Sequence, residues 1–158
     1  MKTAADIMTR TVVTVPPDMP VGEVAETLAR ERFGAVPVVD AAGVVRGIVT
    51  EEEMVARAAA FHLPRHIEFL GSIIYLENPQ RFEEEAKRIL ALTAEEIMDH
   101  ALPTVAPETP VADVAARLLD DDLRRLLVME GDHLRGIITR ADIVRLQERG
   151  HRPGDEAR

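Results

Sequence analysis

The stretch Gly136-Ile137-Ile138-Thr139-Arg140-Ala141-Asp142 decides how this chain folds, because an apolar strand there ends in a hydroxyl and a carboxylate where a helix begins. Thr139 is the expected N-cap, so its hydroxyl and the first free backbone N–H groups of the helix can face an anion. Asp142 lies about one helical turn further on. Because a phosphate and a sugar diol would suit these two side chains, the stretch predicts a ligand site.

The same pattern occurs earlier, as Gly47-Ile48-Val49-Thr50-Glu51-Glu52-Glu53, with Glu53 in the place of the aspartate. A shift of 90 residues sets Ile7-Met8 on Ile97-Met98, and ten of the 22 positions from Ile7 to Leu28 are then identical. After one deletion near Gly43 the offset becomes 89, which aligns the two glycine-to-acid stretches. The chain is therefore an internal duplication.

Each repeat has the pattern of a short extended piece, a helix, two strands and a closing helix. In the first repeat the extended piece ends at Pro16-Pro17, which cannot continue a central strand. The other parts are the helical face Val21, Val24, Ala25 and Leu28, the strand 35–39, the turn 40–43, the strand 44–49 and a closing helix whose inner face is Met54, Val55 and Ala58. Since roughly 55 residues bury too little surface alone, we expect an α/β (α+β) fold in which the two sheets pack together.

Between the repeats lies a segment without a counterpart. Asn78 as N-cap, Pro79 after it and Glu83-Glu84-Glu85 near the positive end of the dipole predict an amphipathic helix there. We predict a first repeat at 1–60, a helical connector at 61–94, a second repeat at 95–149 and a loose polar tail at 150–158. Whether the connector only packs against the repeats or forms a self-association or partner surface stays open.

Composition narrows the class of function. The formal charge is 19 − 28 = −9 and only 3% of the residues are aromatic, which disfavours binding to nucleic acid or to an anionic membrane. The chain has no cysteine, which excludes disulfides, thiolate metal sites and cysteine nucleophiles. The start, 1–10, is not a signal peptide, and no apolar run reaches membrane-spanning length, so we expect a cytoplasmic location.

The sequence predicts neither a metal site nor a catalytic site. Pro64 separates His62 from His66 and spoils a helical ligand pair, and His100, His133 and His151 have no ligand spacing. There is no nucleophile elbow, HExxH motif or Walker loop, and the abundant carboxylates include no distinctive pair. We therefore expect a protein without catalytic residues.

The duplicated order of Ile-Met, Pro-Val, Val-Pro-Val-Val-Asp and Gly-Ile-Ile-Thr-x-x-Asp resembles the cystathionine β-synthase (CBS) domain, as a tandem pair or Bateman module. The resemblance implies βαββα units packed sheet to sheet with pseudo-two-fold symmetry and two clefts between them. In similar proteins the clefts bind adenosine-containing ligands such as AMP, ADP, ATP or S-adenosylmethionine. Pairs often form flat dimers, and the fold is regulatory.

Carried onto this chain, the resemblance implies a main cleft in which Thr139 contacts a phosphate or ribose oxygen and Asp142 accepts from the ribose hydroxyls. Arg124, Arg125 and Arg140 would lie near the phosphate. Adenine would lie against the opening segment and the strand of the first repeat, at Thr9, Thr11, Val13, Phe33, Gly34 and Ala35.

A second cleft would lie at the mirror position and is expected to be weaker. Its residues would be Thr50, Glu53, Asp99, Ala101, Pro103 and Leu123. Glu51 and Glu52 stand where the main cleft has Arg140 and Ala141, and added carboxylates repel a phosphate. We expect this cleft to bind weakly, to prefer a neutral adenosine derivative or one whose phosphates carry Mg²⁺, or to stay empty.

These observations predict a regulatory adenine-nucleotide sensor that needs no cofactor, forms a homodimer and acts on an effector protein on another chain. Its signal would be a ligand-dependent change in the packing of the repeats or of the dimer. The alternatives are an interaction or oligomerisation module with vestigial clefts, and a binder of another adenosyl ligand such as S-adenosylmethionine.

Overall fold

The computed structural model describes residues 1–60, 66–75 and 78–150. In chain order the elements are α1 (Ala4–Ile7), α2 (Val21–Arg30), β1 (Ala35–Val39), β2 (Val45–Thr50), α3 (Glu51–Ala60), β3 (His66–Phe69), β4 (Ser72–Tyr75), α4 (Pro79–Ala91), α5 (Ala94–Ile97), β5 (Thr104–Val105), α6 (Val111–Asp120), β6 (Arg125–Glu130), β7 (His133–Thr139) and α7 (Arg140–Gly150).

The two repeats build equivalent sheets. β1 and β2 pair antiparallel, as do β6 and β7, and the short β5 runs parallel to β6. In the first repeat the position of β5 is taken by a single parallel bridge between Val15 and Val38. The chain turns away directly after that bridge because Pro16 has no N–H to extend the ladder.

Each central helix covers one face of its sheet with the residues that the helical spacing predicted. α2 buries Val21, Val24 and Leu28, and α6 buries Val114 and Leu118. These side chains lie three or four residues apart, so they share one helical face. The predicted apolar stripe of the first repeat is confirmed at its three large residues, while Ala25 is half-buried.

The inner face predicted for the closing helix α3 is only partly right. Met54 packs against the core of the first repeat, whereas Val55 and Ala58 are exposed.

The opposite faces of the two sheets pack against each other. Ala35 and Ile48 from the first repeat and Leu127 and Ile137 from the second form one buried cluster. Five partly buried side chains close its edges: Val12, Phe33, Leu102, Met129 and Leu134. Because each strand is covered by a helix on one side and by the other repeat on the other side, the expected sheet-to-sheet arrangement is confirmed.

The opening helices are exchanged between the repeats. α1 of the first repeat packs into the core of the second through Ala4, and α5 of the second packs into the core of the first through Ala94 and Ile97. Backbone pairs follow the same exchange, since Thr9 bonds reciprocally to Ile137 and Asp99 to Ile48. Neither repeat therefore has a complete core of its own.

Gly47 and Gly136 allow these exchanged segments to approach closely. A Cβ at Gly136 would lie 2.7 Å from Met8 Sδ and 2.8 Å from the Thr9 carbonyl oxygen, and one at Gly47 would lie 2.6 Å from Met98 and 2.9 Å from the Asp99 carbonyl oxygen. The carbonyls cannot move aside, because they hold the strand pairs just described. Glycine is therefore required at both positions for steric reasons.

Substituting Gly136→Ala should lower the free energy of unfolding by about 1–3 kcal/mol, the usual cost of an added methyl group in a filled site. Gly22→Ala is the matched control, since its Cβ would meet only Leu90 atoms at 3.8 Å and alanine favours the helix. Urea denaturation followed by far-UV circular dichroism measures both. Equal stability of Gly136→Ala and wild type would contradict the steric argument.

The segment between the repeats is only partly as expected. α4 begins where predicted, with the Asn78 side chain accepting a hydrogen bond from the Gln80 N–H at 3.0 Å and Pro79 in the first turn. The antiparallel hairpin β3–β4 was not predicted. Its turn contains Leu70 and Gly71, both at positive φ. His62 and Pro64 and the tail 151–158 lie outside the described residues, and Gly150 is the last residue of α7.

Within the described part of the chain, no helix combines the length and the hydropathy that a membrane crossing requires.

Candidate ligand clefts

Two cavities open between the repeats, at the positions predicted for the main and second clefts. The main cleft, of about 520 Å³, is lined by Arg32, Phe33, Arg124, Arg125, Thr139, Arg140, Ala141 and Arg145. The second cleft, of about 460 Å³, is lined by Ile48, Thr50, Asp99, Ala101, Leu102, Pro103, Arg117, Asp121, Leu123, Arg124 and Arg125.

The structure brings five of the predicted residues together in the main cleft: Phe33, Arg124, Arg125, Thr139 and Arg140. Thr139, Arg140 and Ala141 come from the junction of β7 and α7, so the positive end of the α7 dipole lies in the wall. Of the described residues that line this cleft, five are arginines and none is acidic. Four of the five are paired with carboxylates that lie outside the lining, those of Glu52, Asp122 and Asp142. An anion that enters the cleft therefore competes with these carboxylates for the guanidinium groups.

Besides Asp142, which is described below, five other predicted residues of the main cleft do not line the cavity. Ala35 is buried between the sheets, and Thr9 uses its backbone N–H and carbonyl to pair with Ile137. Thr11 and Val13 are exposed, while Val12 between them packs inward, as alternation along an extended segment requires.

The remaining one of these five, Gly34, has φ +64° and accepts the Glu51 N–H through its carbonyl oxygen. Its main chain therefore supports the start of α3.

Asp142 is 9% exposed and its carboxylate is turned toward its own helix. Oδ2 accepts from the Thr139 N–H at 2.8 Å and from the Thr139 hydroxyl at 3.2 Å, and Oδ1 accepts from Arg145 Nη1 at 3.0 Å. The carboxylate thus returns to the Thr139 N–H as the acid of a capping box does, and Arg145 adds a cation. Asp142 faces a separate depression of about 280 Å³, and Arg145 lines both that depression and the main cleft.

Arg140 is held by the end of α6. Its Nε donates to the Leu123 carbonyl at 2.8 Å, and its Nη2 donates to the Leu118 carbonyl at 3.1 Å and to Asp122 at 2.9 Å. A cation beside the last carbonyls of a helix is favourable. The guanidinium is thus fixed in place before any ligand arrives.

Sequence reasoning missed Arg32, Ala141 and Arg145 in the main cleft. Arg32 lies 5.0 Å from the centre of the Phe33 ring, a cation–π distance. Arg145 could have been found, because residues three apart on a helix are neighbours and Asp142 was already singled out. Nothing in the sequence marked Arg32 except its place next to Phe33.

The second cleft contains five of its six predicted residues: Thr50, Asp99, Ala101, Pro103 and Leu123. The sixth, Glu53, is outside the lining and pairs with Arg57 at 3.1 Å. Thr50 caps α3 by accepting the Glu53 N–H at 3.2 Å. Arg117 on α6 and Asp121, the C-cap residue of that helix, were not predicted here, so two carboxylates and three arginines line this cavity.

An ion pair between Arg125 and Glu52 joins the two repeats between the clefts. Arg125 donates from Nη1 and Nη2 to the two carboxylate oxygens of Glu52 at 3.1 and 3.0 Å, and from Nε to the Phe33 carbonyl at 2.9 Å. Hydrogen bonds from Arg125 lower the pKa of Glu52 to about 2. Glu52 therefore carries its charge at any pH at which a ligand would be tested.

Among the described residues, no group of three or more histidine, aspartate or glutamate side chains is arranged to hold a metal ion.

Comparisons with known proteins agree with this architecture. The CBS domain family matches residues 4–59 and 94–149. Uncharacterized protein MJ1404 of Methanocaldococcus jannaschii is 29% identical over 88% of this chain, which spans only 30% of that relative's length.

Among solved structures, that of CBSX2 in complex with AMP superposes with a TM-score of 0.73 at 22% identity, covering 96% of this chain and all (100%) of the other. The CBS domain pair of protein MJ0100, in complex with 5′-methylthioadenosine and S-adenosyl-L-methionine, gives a TM-score of 0.67 at 22% identity, covering 96% of this chain and 99% of the other. At these identities the likeness shows the fold alone. With both halves matched by the family and both folded as βαββα units, the chain belongs to the CBS domain family, as a tandem pair.

Proposed function

We propose that this chain is a regulatory module that binds an adenine nucleotide of the AMP, ADP or ATP type in the main cleft. The observation that carries the proposal is the wall of five arginines around Thr139 at the N-terminus of α7. Guanidinium groups and a helix N-terminus are the groups that proteins use to hold phosphates. The overall charge of −9 does not oppose this, because charges beyond a Debye length of about 8 Å are screened.

The relatives support the adenosine part of the proposal. Two proteins of the same fold were solved with AMP and with two adenosyl ligands, and both cover nearly all of this chain. Phe33 supplies an aromatic face in the main cleft. S-adenosylmethionine stays an alternative ligand, although its sulfonium charge would be repelled by the arginine-rich wall.

We also propose that the clefts are unequal. The second cleft contains Asp99 and Asp121 beside its three arginines, so a phosphate gains less there than in the main cleft. It would bind weakly, or take a neutral adenosine derivative or a nucleotide that carries Mg²⁺. The module has no catalytic residues in this proposal, and its output is a change in repeat packing that an effector protein reads.

A ligand panel tests the proposal. AMP, ADP, ATP, S-adenosylmethionine and NAD are added at about 100 times a micromolar Kd, and at least one nucleotide should raise the melting temperature, because a ligand that binds only the folded state adds about 2.7 kcal/mol at that excess. Differential scanning fluorimetry with an external dye suits a chain that has no tryptophan. Inorganic phosphate and adenosine serve as fragment controls.

A flat response to every ligand would favour the second candidate, an interaction module with vestigial clefts. One observation speaks for it: Val55 on α3 and Val144 on α7 hold equivalent places in the repeats and are 67% and 55% exposed. Symmetric apolar side chains on two helices fit a two-fold partner, so we propose a homodimer through α3 and α7. In sedimentation equilibrium, wild type should have the mass of a dimer and Val55→Glu the mass of a monomer. A monomeric wild type would contradict the homodimer.

A further inference from the structure

Arg124 and Arg125 form the wall between the two clefts and, among the described residues, are the ones that line both. Arg125 is the buried member, with its side chain 10% exposed. A guanidinium has five N–H donors, and Arg125 uses three of them on Glu52 and Phe33. Its charge therefore acts on both cavities at once.

Glu52 occupies the position on this guanidinium that a phosphate would take. Its two oxygens accept from Nη1 and Nη2 in the parallel arrangement that carboxylates and phosphates share. Arg124 adds a third contact, with Nε 3.4 Å from Glu52 Oε1. The side chain of Glu52 is 42% exposed, so its carboxylate can leave for solvent at little steric cost.

The sequence makes this arrangement one-sided. The first-repeat equivalents of Arg124 and Arg125 are Gly34 and Ala35, and the second-repeat equivalent of Glu52 is Ala141. A Cβ at Gly34 would lie 3.2 Å from Arg125 Nη2, so the glycine also leaves the space through which the guanidinium reaches Glu52. The equivalent ion pair therefore cannot form on the other side of the duplicated fold, because neither the guanidinium groups nor the carboxylate are present there.

We propose that the Arg125–Glu52 pair is an anion gate that controls the entry of phosphate groups into both clefts. A phosphate in either cavity competes with Glu52 for the same guanidinium, whereas a nucleoside without phosphate does not. The inference rests on the proposed function, because it needs ligands in the clefts. In this proposal Glu52 sets the preference for nucleotide over nucleoside. Glu52 belongs to the first repeat, whereas Thr139 belongs to the second.

The test compares AMP with adenosine by isothermal titration calorimetry of the full chain. Glu52→Gln keeps the shape of the side chain and removes its charge, so AMP should bind about tenfold more tightly, the worth of one charge-assisted hydrogen bond, while adenosine changes by less than about twofold. Arg125→Lys keeps a charge without the fork and should weaken AMP about tenfold relative to adenosine.

Glu130→Gln is the matched control, since it removes the same charge from an ion pair with Arg135 at the other end of β6, about 16 Å along the strand from Arg125. It should shift the AMP-to-adenosine ratio by less than about twofold, as expected for a screened charge. Circular dichroism confirms that each variant is folded.

The outcomes separate the gate from the function. If neither AMP nor adenosine binds wild type or any variant, the proposed function fails and the gate fails with it. If AMP binds but its ratio to adenosine is the same in Glu52→Gln, or changes equally in Glu130→Gln, the function stands and the gate is overturned. If the gate acts on both clefts, Glu52→Gln should tighten both AMP-binding steps. A change in only one step would limit the gate to one cleft and overturn the proposal that it controls both.

Discussion

Ile137→Ala and Leu127→Ala should each lower the free energy of unfolding by about 2–5 kcal/mol, the range for truncating fully buried aliphatic side chains. Both residues are 0% exposed and belong to the cluster between the two sheets, with Ala35 and Ile48 opposite them. A cavity there cannot close easily, because each strand is held by a helix on its other face. Typical domains have a stability of about 5–15 kcal/mol, so either variant removes much of it.

The same variants should unfold in one transition, as wild type should. α1 and α5 lie in the core of the opposite repeat, so loss of one repeat exposes part of the other. Leu119→Ala on the outer face of α6 is the control: Leu119 is 73% exposed, and its truncation should change stability by less than about 0.5 kcal/mol. Urea unfolding is followed by far-UV circular dichroism. Two separate transitions would show that the repeats are independent.

The sequence predicted the fold in detail because the information was local and repeated. Helical spacing at Val21, Val24 and Leu28 and turn signals at 40–43 each occur in a second copy, so one pattern checks the other. The exchange of α1 and α5 depends on contacts between distant residues, such as Ile48 with Asp99, 51 positions apart, and Thr9 with Ile137, 128 apart, which no local pattern contains. The β3–β4 hairpin has no second copy, and it was missed.

The candidate site was predicted less completely, for a related reason. The junction that carries Thr139 and Arg140 is a local motif, and the structure places both in the main cleft. Whether a neighbouring side chain faces that cavity depends on alternation along an irregular segment, where Val12 rather than Val13 turns inward. Partners from the other repeat, such as Glu52 on Arg125, are 73 positions away and become visible only after folding.

Asp142→Asn should remove the ability of the main cleft to tell ribose from dideoxyribose. If the carboxylate accepts from the 2′- and 3′-hydroxyls, each charge-assisted bond adds roughly 1.5–3 kcal/mol, so wild type should prefer AMP to its 2′,3′-dideoxy analogue by at least about tenfold. The variant should bind the two about equally. To accept from the ribose hydroxyls, Asp142 must give up its hydrogen bond with Arg145. Arg145 lines both the main cleft and the depression that Asp142 faces.

The capping role of Asp142 has to be separated from this role in recognition. Asp142→Asn weakens the box with Thr139 and should cost about 0.5–2 kcal/mol of stability whether or not a ligand binds. Glu96→Gln makes the matching change in the box that Glu96 forms with Thr93 at the start of α5, outside the lining of both clefts. It should cost similar stability and leave the ribose preference intact. A wild type that binds both analogues equally would show that Asp142 is a helix cap alone, and the ribose contact would have to be assigned to another group.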